Sequence, residues 1–192
     1  MTSAIPPELV SRAVRRDPAA TAALLTALRP GLVRYCRARL GPVSGAYATA
    51  DDVAQEVCLA VLRALPGYRD QGLPFTAFAY RIAANKVADA QRAAVRAATA
   101  TPPDALPDQA DGTPGPEQQA LSADLARRLS ALLARLPETQ RDIVVLRVAA
   151  GLSADEVAAI VGMTAAAVRV AQSRALARLR TLAGESLPEV AA

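Results

Sequence analysis

The chain has 192 residues, 52% of them apolar but only 3% aromatic, and its 22 basic and 18 acidic side chains leave a net charge of +4. The apolar share leans on Ala, which favours closely packed helix, and no apolar run approaches the roughly 18 residues of a membrane span, so an all-α protein without membrane insertion is expected. The sequence holds no His, the commonest general base and metal ligand, which removes most enzyme readings; neither catalysis nor a cofactor is expected.

Residues Pro7 to Arg15 carry Leu9, Val10, Ala13 and Val14 at helical spacing, and Asp17-Pro18 breaks that helix. A longer helix over 19–40 presents Leu24, Leu25, Leu28, Leu32, Tyr35, Cys36 and Leu40, with Pro30 near its middle and Gly41-Pro42 as a stop. Thr49 caps a third helix whose buried stripe of Val53, Ala54, Val57, Cys58, Val61, Leu62 and Leu65 ends at Pro66-Gly67, and a fourth runs from about Pro74 to Arg96. Residues 97–118 hold five prolines and almost no large apolar group, so they read as a flexible linker. Beyond it lie helices over Gln118 to Leu136 and Glu138 to Ala150, then two short helices. The expected organisation is an N-terminal helical bundle, 1–96, a linker, 97–118, a four-helix C-terminal domain, 119–183, and a tail, 184–192.

Charge follows this division. Residues 1–96 carry 13 basic and 7 acidic side chains, 97–118 none and 4, and 119–192 carry 9 and 7. Basic blocks on either side of an acidic connector suit a polyanionic partner, because cations that neutralise phosphates release condensed counterions. Cys36 and Cys58 sit within helical apolar patterns and form no metal-ligand spacing, so buried free thiols are expected. Met1 to Pro7 has neither the basic nor the apolar region of an export signal, which makes the cytoplasm the expected location.

The two last helices carry the most specific local signal. Ser153 and Glu156 have the spacing of a capping box, Gly162 stands where the chain must leave the first helix through a left-handed position, and Thr164 caps the second. Val168, Ala171, Ala175, Leu179 and Leu182 share one face of that second helix, which leaves Arg169, Val170, Ser173 and Arg174 on the other. That is the outline of a DNA-reading helix-turn-helix, although the same residues could form an αα-hairpin in any helical protein.

A second constellation lies upstream. Tyr68, Phe75, Phe78 and Tyr80 place four of the six aromatic residues within 13 positions, beside Arg69, Arg81, Asn85, Lys86 and Arg92. Aromatic faces stack unpaired bases at about 1–3 kcal/mol each while neighbouring cations hold the backbone, which is what gripping single-stranded nucleic acid requires. Phe75 and Phe78, at i and i+3, equally suit the core of a small bundle; Tyr68, in a polar loop, is the aromatic that a core explains least. A third patch, Asp51-Asp52 with Gln55 and Glu56, either complements the N-terminus of its helix or offers an acidic face to a protein partner.

Together, Asp51-Asp52-Val-Ala-Gln55-Glu56, then Pro74-Phe75-Thr-Ala-Phe78-Ala-Tyr80-Arg81-Ile82 with Asn85, Lys86, Asp89 and Arg92, then Leu136-Pro137 with Arg141 and the helix-turn-helix, resemble the extracytoplasmic-function (ECF) group of bacterial sigma factors. The resemblance covers about 10–96 and 121–182. It implies a non-catalytic subunit that binds core RNA polymerase, through the clamp helices of the largest subunit and the flap region, and places it at promoter DNA. It also admits an anti-sigma factor as a further partner. By the same resemblance Asp52, Gln55 and Glu56 dock on the polymerase, and Tyr68 with Arg69 belongs to a loop that captures a base flipped from the −10 element. Phe75, Phe78, Ile82 and Asn85 line the neighbouring helix, and Arg81, Lys86 and Arg92 hold phosphates. Thr164, Arg169, Val170, Gln172, Ser173 and Arg174 meet the −35 duplex. Two departures stand out: Phe78 occupies a position where many members have Trp, and Val170-Ala171 follow Arg169 where a basic or hydroxyl residue is common. The alternative is a two-domain helix-turn-helix transcriptional regulator that does not act as a polymerase subunit, which would have no need of the Tyr68 to Arg92 segment.

Overall fold

A computed structural model describes residues 5–41, 49–100 and 116–186, and no strand occurs among them. The helices are α1 (Pro7–Val14), α2 (Pro18–Leu40), α3 (Ala50–Ala64), α4 (Phe75–Ala100), α5 (Pro116–Ala134), α6 (Glu138–Val144), α7 (Ala154–Val161) and α8 (Ala165–Ser186), as the all-α expectation requires. Two helix ends differ from that expectation. α4 continues to Ala100 because Ala93–Ala100 holds no helix breaker, and α5 starts earlier, at Pro116, a residue suited to a first turn that needs no N–H. Helix therefore occupies both ends of the expected linker; its residues 101–115, and the tail from 187, lie outside the described residues.

Side-chain caps set several of the starts. Asp17, expected only to break the first helix, also begins the next: its Oδ1 accepts from the Ala20 N–H at 3.1 Å. Arg12 donates to its Oδ2 at 2.9 and 2.7 Å. Thr49 and Asp52 form a reciprocal box, the Thr49 hydroxyl accepting from the Asp52 N–H at 3.2 Å and the Asp52 carboxylate from the Thr49 N–H at 2.9 Å. Each such cap stabilises its helix by about 1 kcal/mol.

In the N-terminal domain α2 packs on α1, α3 and α4, and α3 on α4. Leu24, Leu32, Cys36, Val57, Val61 and Val87 are fully enclosed there. Burying a Leu or Val side chain stabilises by about 1.5–3 kcal/mol, so these stripes hold the bundle together. α2 and α4 approach closely at Gly31, where a Cβ would collide with the Tyr80 hydroxyl. Tyr80 meets Tyr35 edge to face at 5.4 Å, and burial pushes the Tyr35 phenol up to about 12. Both cysteines are free; Cys36 is buried and Cys58 half-buried.

In the C-terminal domain α8 packs on α5, α6 and α7 around Ile143, Val157, Val168 and Ala175. The expected continuous helix from Glu138 to Ala150 changes pitch at Val145–Ala149, which winds as a π turn. Its end is closed by Gly151 at φ 77°, with the Leu152 N–H bonded to the Leu146 carbonyl at 3.1 Å.

The two domains are in contact. α2 lies against the π turn and α4 against α7, and the buried apolar residues of both domains form one continuous cluster. Arg34 Nε donates to the Ala149 carbonyl at 2.6 Å, Arg39 pairs with Asp142, and the Thr76 hydroxyl donates to Glu156 at 3.0 Å.

Candidate nucleic-acid interface

The C-terminal site is built from the turn outwards. Ser153 Oγ accepts from the Glu156 N–H at 3.2 Å while Glu156 Oε2 accepts from the Ser153 N–H at 2.8 Å, so the capping box read from spacing is formed. Gly162 ends α7 at φ 70°, ψ 33°, the left-handed conformation that a Cβ disfavours. Thr164 then accepts from the Ala167 N–H at 3.2 Å and starts α8. On α8, Val168, Ala175 and Leu182 are buried, whereas Arg169, Val170, Ser173 and Arg174 are exposed along one side. This is a face of cations, a hydroxyl and a methyl-bearing side chain, of a size that enters a major groove.

Gln172 sits differently from its neighbours. It is half-buried and its Oε1 accepts from Arg147 Nε at 2.9 Å, while Arg147 Nη1 donates to the Leu152 carbonyl at 2.5 Å. Arg147 thus braces the turn against the second helix. Its lone position in an apolar stretch gave no sign of this in the sequence, because the contact spans 25 residues.

In the N-terminal domain the structure brings the aromatic residues together. Tyr68 meets Phe75 at 5.0 Å and Phe78 at 5.1 Å, both edge to face, and Phe75 lies 5.5 Å from Phe78. Tyr68, which the sequence suggested a core would explain least, is half-buried in this trio. The loop folds back on the helix it precedes, where edge-to-face pairs contribute about 0.5–1.5 kcal/mol beyond their burial. Burial raises the Tyr68 phenol above its usual value, with the Asp70 charge adding to the effect. Asp70 Oδ1 accepts from the Gly72 N–H at 2.8 Å, which closes the loop. Beside the trio lies a cavity of about 330 Å³ between α1 and the loop, lined by Val10, Val14, Tyr68, Leu73 and Phe75 among others.

Arg69, Arg81, Asn85 and Arg92 are exposed, and Ile82 and Lys86 half-buried. Two of the cations have intramolecular partners: Lys86 Nζ lies 3.2 Å from Glu56, and Arg92 pairs with Asp89 at 2.5 Å. Both pairs are largely exposed, where ion pairs contribute about 0–1 kcal/mol, so a phosphate can displace either carboxylate.

On α3, Asp52, Gln55 and Glu56 are exposed on the side opposite Val53, Val57 and Val61. Asp52 is engaged in the capping box, whose backbone and side-chain hydrogen bonds from Thr49 lower its carboxyl below the usual range. Asp51 is held below its usual range by the Arg37 guanidinium, which binds it at 2.8 and 2.6 Å. Leu59 and Leu62 extend the same face and remain 44% and 39% exposed. The sequence pattern puts Leu62 in the buried stripe, which its exposure corrects, and does not mark Leu59 at all; the recurrence 52, 55, 59, 62 at helical spacing was the signal available.

The sigma-70 region 2 family matches residues 24–97 and the sigma-70 region 4 family residues 126–179. The ECF RNA polymerase sigma factor SigD of Mycobacterium tuberculosis is 55% identical over 172 residues, which are 90% of this chain and 81% of that protein. The chain belongs to the ECF RNA polymerase sigma factors. Another member, ShbA of Streptomyces griseus, is 53% identical over 178 residues, 91% of this chain and 93% of the other. Among solved structures, CnrH in complex with the cytosolic domain of CnrY superposes with a TM-score of 0.67 at 25% identity, covering 92% of this chain and 96% of CnrH. As an ECF sigma factor the chain directs transcription initiation through RNA polymerase, and the reading as a regulator that is not a polymerase subunit is not favoured. No described helix is long and apolar enough to cross a membrane.

Proposed function

We propose that this sigma factor reads the −35 duplex through the exposed face of α8 and captures unpaired −10 non-template DNA beside the aromatic trio. Arg169 and Arg174 position α8 on phosphates and base edges, Val170 offers a methyl contact to thymine, and Ser173 adds a hydroxyl. At the other site Arg69, Arg81, Lys86 and Arg92 hold backbone phosphates while Tyr68, Phe78, Ile82 and Asn85 meet the base. The observation that carries the reading is that the aromatic residues and exposed cations of α4 stand in one chain with a formed helix-turn-helix. A base held outside the stack is bound by shape and stacking, so binding shifts the melting equilibrium toward the open strand without any chemical step.

The exposed face of α3, with Asp52, Gln55, Glu56, Leu59 and Leu62, docks on the clamp helices of core polymerase, and the C-terminal domain on the flap region. An anti-sigma factor is a further partner; the similar CnrH was solved in complex with the cytosolic domain of CnrY. The place of action is the cytoplasm, and the chain has no catalytic activity of its own. The test is run-off transcription with purified chain and core polymerase over a promoter library. Recovery of promoters with defined −35 and −10 elements supports the reading; failure to bind core polymerase at any salt concentration overturns it.

A further inference from the structure

We infer that the cavity between α1 and the Tyr68 loop binds a second unpaired base of the promoter strand, whose phosphate is held by the corner joining α1 to α2. This rests on the function proposed above, which takes Tyr68 as part of the −10 site. Phe75 lines the cavity and Phe78 does not, so Tyr68, 5.0 Å from the one and 5.1 Å from the other, stands between the cavity and the α4 site. Sites on either side of one ring suit nearby bases of one strand. At about 330 Å³ the cavity is at the small end of ligand pockets, with room for a single base and none for a helix or a folded partner.

Its walls and rim have the chemistry of a base site. Val10, Val14 and Phe75 give apolar walls, and Leu73, 44% exposed, adds apolar surface that a stacked base would cover. Ser11 and Asp70 supply acceptors. The Ser11 hydroxyl donates to the Pro7 carbonyl at 3.0 Å, which leaves its own lone pairs, and Asp70 Oδ1 takes the Gly72 N–H at 2.8 Å, which leaves Oδ2. Such a rim selects a base with an exocyclic amine over thymine, whose edge sets two carbonyl acceptors around one N–H.

Cations surround the opening. Arg15 lines the cavity, Arg16 follows it in the corner, and Arg69 lies between Tyr68 and Asp70 on the loop. All three are exposed, and among the described residues none of their guanidinium groups has an ion pair or hydrogen bond, whereas Arg12, one turn earlier, is taken by Asp17 at 2.7 Å. Arg16 stands at φ 64°, the left-handed position after α1, where its N–H bonds the Ala13 carbonyl at 2.9 Å and the Asp17 N–H bonds that of Arg12 at 3.2 Å. Glycine is the usual residue in that closure. A cation is thus kept beside the cavity at a backbone position that penalises any Cβ, which a phosphate explains and the turn does not.

Holoenzyme assembled from core polymerase and this chain, on promoters with a preformed bubble, provides the test, each non-template position being made abasic in turn. Beyond the base served by Tyr68 and Asn85, removal of one further base should shorten the lifetime of the open complex about tenfold, as for one stacked base. Ser11→Trp, on an exposed position of α1, fills the cavity and should erase that sensitivity. Asp70→Asn keeps the Gly72 hydrogen bond, puts a donor on the other atom and should turn the preference at that position toward thymine. Arg16→Gly should leave thermal stability equal or higher while shortening the lifetime several-fold, an opposition that a structural role does not produce. If Ser11→Trp and Asp70→Asn leave the base dependence of every position as in the parent chain, the second site is overturned. Displacement of the strand by millimolar dAMP, dCMP or dGMP, with the same dependence on Ser11 and Asp70, overturns it in favour of a free-nucleotide site. Opening that ignores Tyr68→Ala and Asn85→Ala strikes at the function proposed above; dependence on those two with no response to the cavity variants strikes at this inference alone.

Discussion

Thr76 at the head of α4 donates its hydroxyl to Glu156 Oε1 at 3.0 Å, so one carboxylate closes the helix-turn-helix cap and also ties it to the N-terminal domain. Apart from the Tyr35 and Tyr80 phenols, Thr76 carries the one hydroxyl among the buried described residues, at 3% exposure, and a buried hydroxyl is tolerated where it has a partner. Thr76→Val should lower stability by about 1 kcal/mol, and Glu156→Ala by more, about 1–3 kcal/mol, since the box is lost as well. The double variant should cost less than the two single costs together, by about 1 kcal/mol in urea unfolding. Strict additivity would show that the hydrogen bond contributes nothing.

Gly31 on α2 faces Tyr80 on α4, and a Cβ there meets the Tyr80 hydroxyl. Gly31→Ala should destabilise by about 1–3 kcal/mol through overpacking. Tyr80→Phe removes the colliding oxygen, so Gly31→Ala should cost less in that background, as thermal unfolding of the four chains will measure. An equal cost in both would place the strain elsewhere.

Asp52 and Asp142 should respond to pH with opposite signs. The Thr49 hydrogen bonds hold Asp52 below its usual value, so its stabilisation is present above pH about 4 and is lost as pH falls through the lowered value. Burial raises Asp142 despite the opposing Arg39 charge, so its contribution is most favourable below pH about 4 and declines as pH rises through the raised value. Carboxyl carbon shifts followed by NMR should give two midpoints on opposite sides of the ordinary Asp value. Midpoints on the same side would contradict the arrangement.

Tyr68 belongs to a ring trio and to the proposed base site, and two substitutions separate these roles. Tyr68→Phe keeps the rings and should retain most strand opening. Tyr68→Ala removes both roles and should reduce opening by about 1–3 kcal/mol of base binding while duplex −35 binding is unchanged. Permanganate reactivity of unpaired thymines reads the first and gel shift the second; equal loss in both assays would argue against a separate −10 site.

Arg169 and Arg174 project from the exposed face of α8. Replacing either by Ala should weaken −35 duplex binding, and for the one that contacts phosphate the slope of log affinity against log salt should fall by about 1. Gln172→Ala should act mainly through stability, because its Oε1 is occupied by Arg147. A base-specific loss of affinity for Gln172→Ala without loss of stability would show that it reads DNA.

Most of what depends on near neighbours is legible along the chain. Ser153 with Glu156, Thr164, and the stripe of Val168 and Ala175 act over three or four residues, and local spacing fixes capping and amphipathic faces. The helix ends at Ala100 and Pro116 were misjudged because an Ala-rich tail and a proline start continue helix without any apolar stripe to mark it. Tertiary structure alone decided the contacts between distant residues. Tyr68 looked free in its loop and is instead anchored on Phe75 and Phe78; Arg147 gave no local sign and braces Gln172. The closing of one domain on the other rests on Arg39 with Asp142 and Thr76 with Glu156, pairs 103 and 80 residues apart. No periodicity reports such pairs, since their partners are set by how the helices pack.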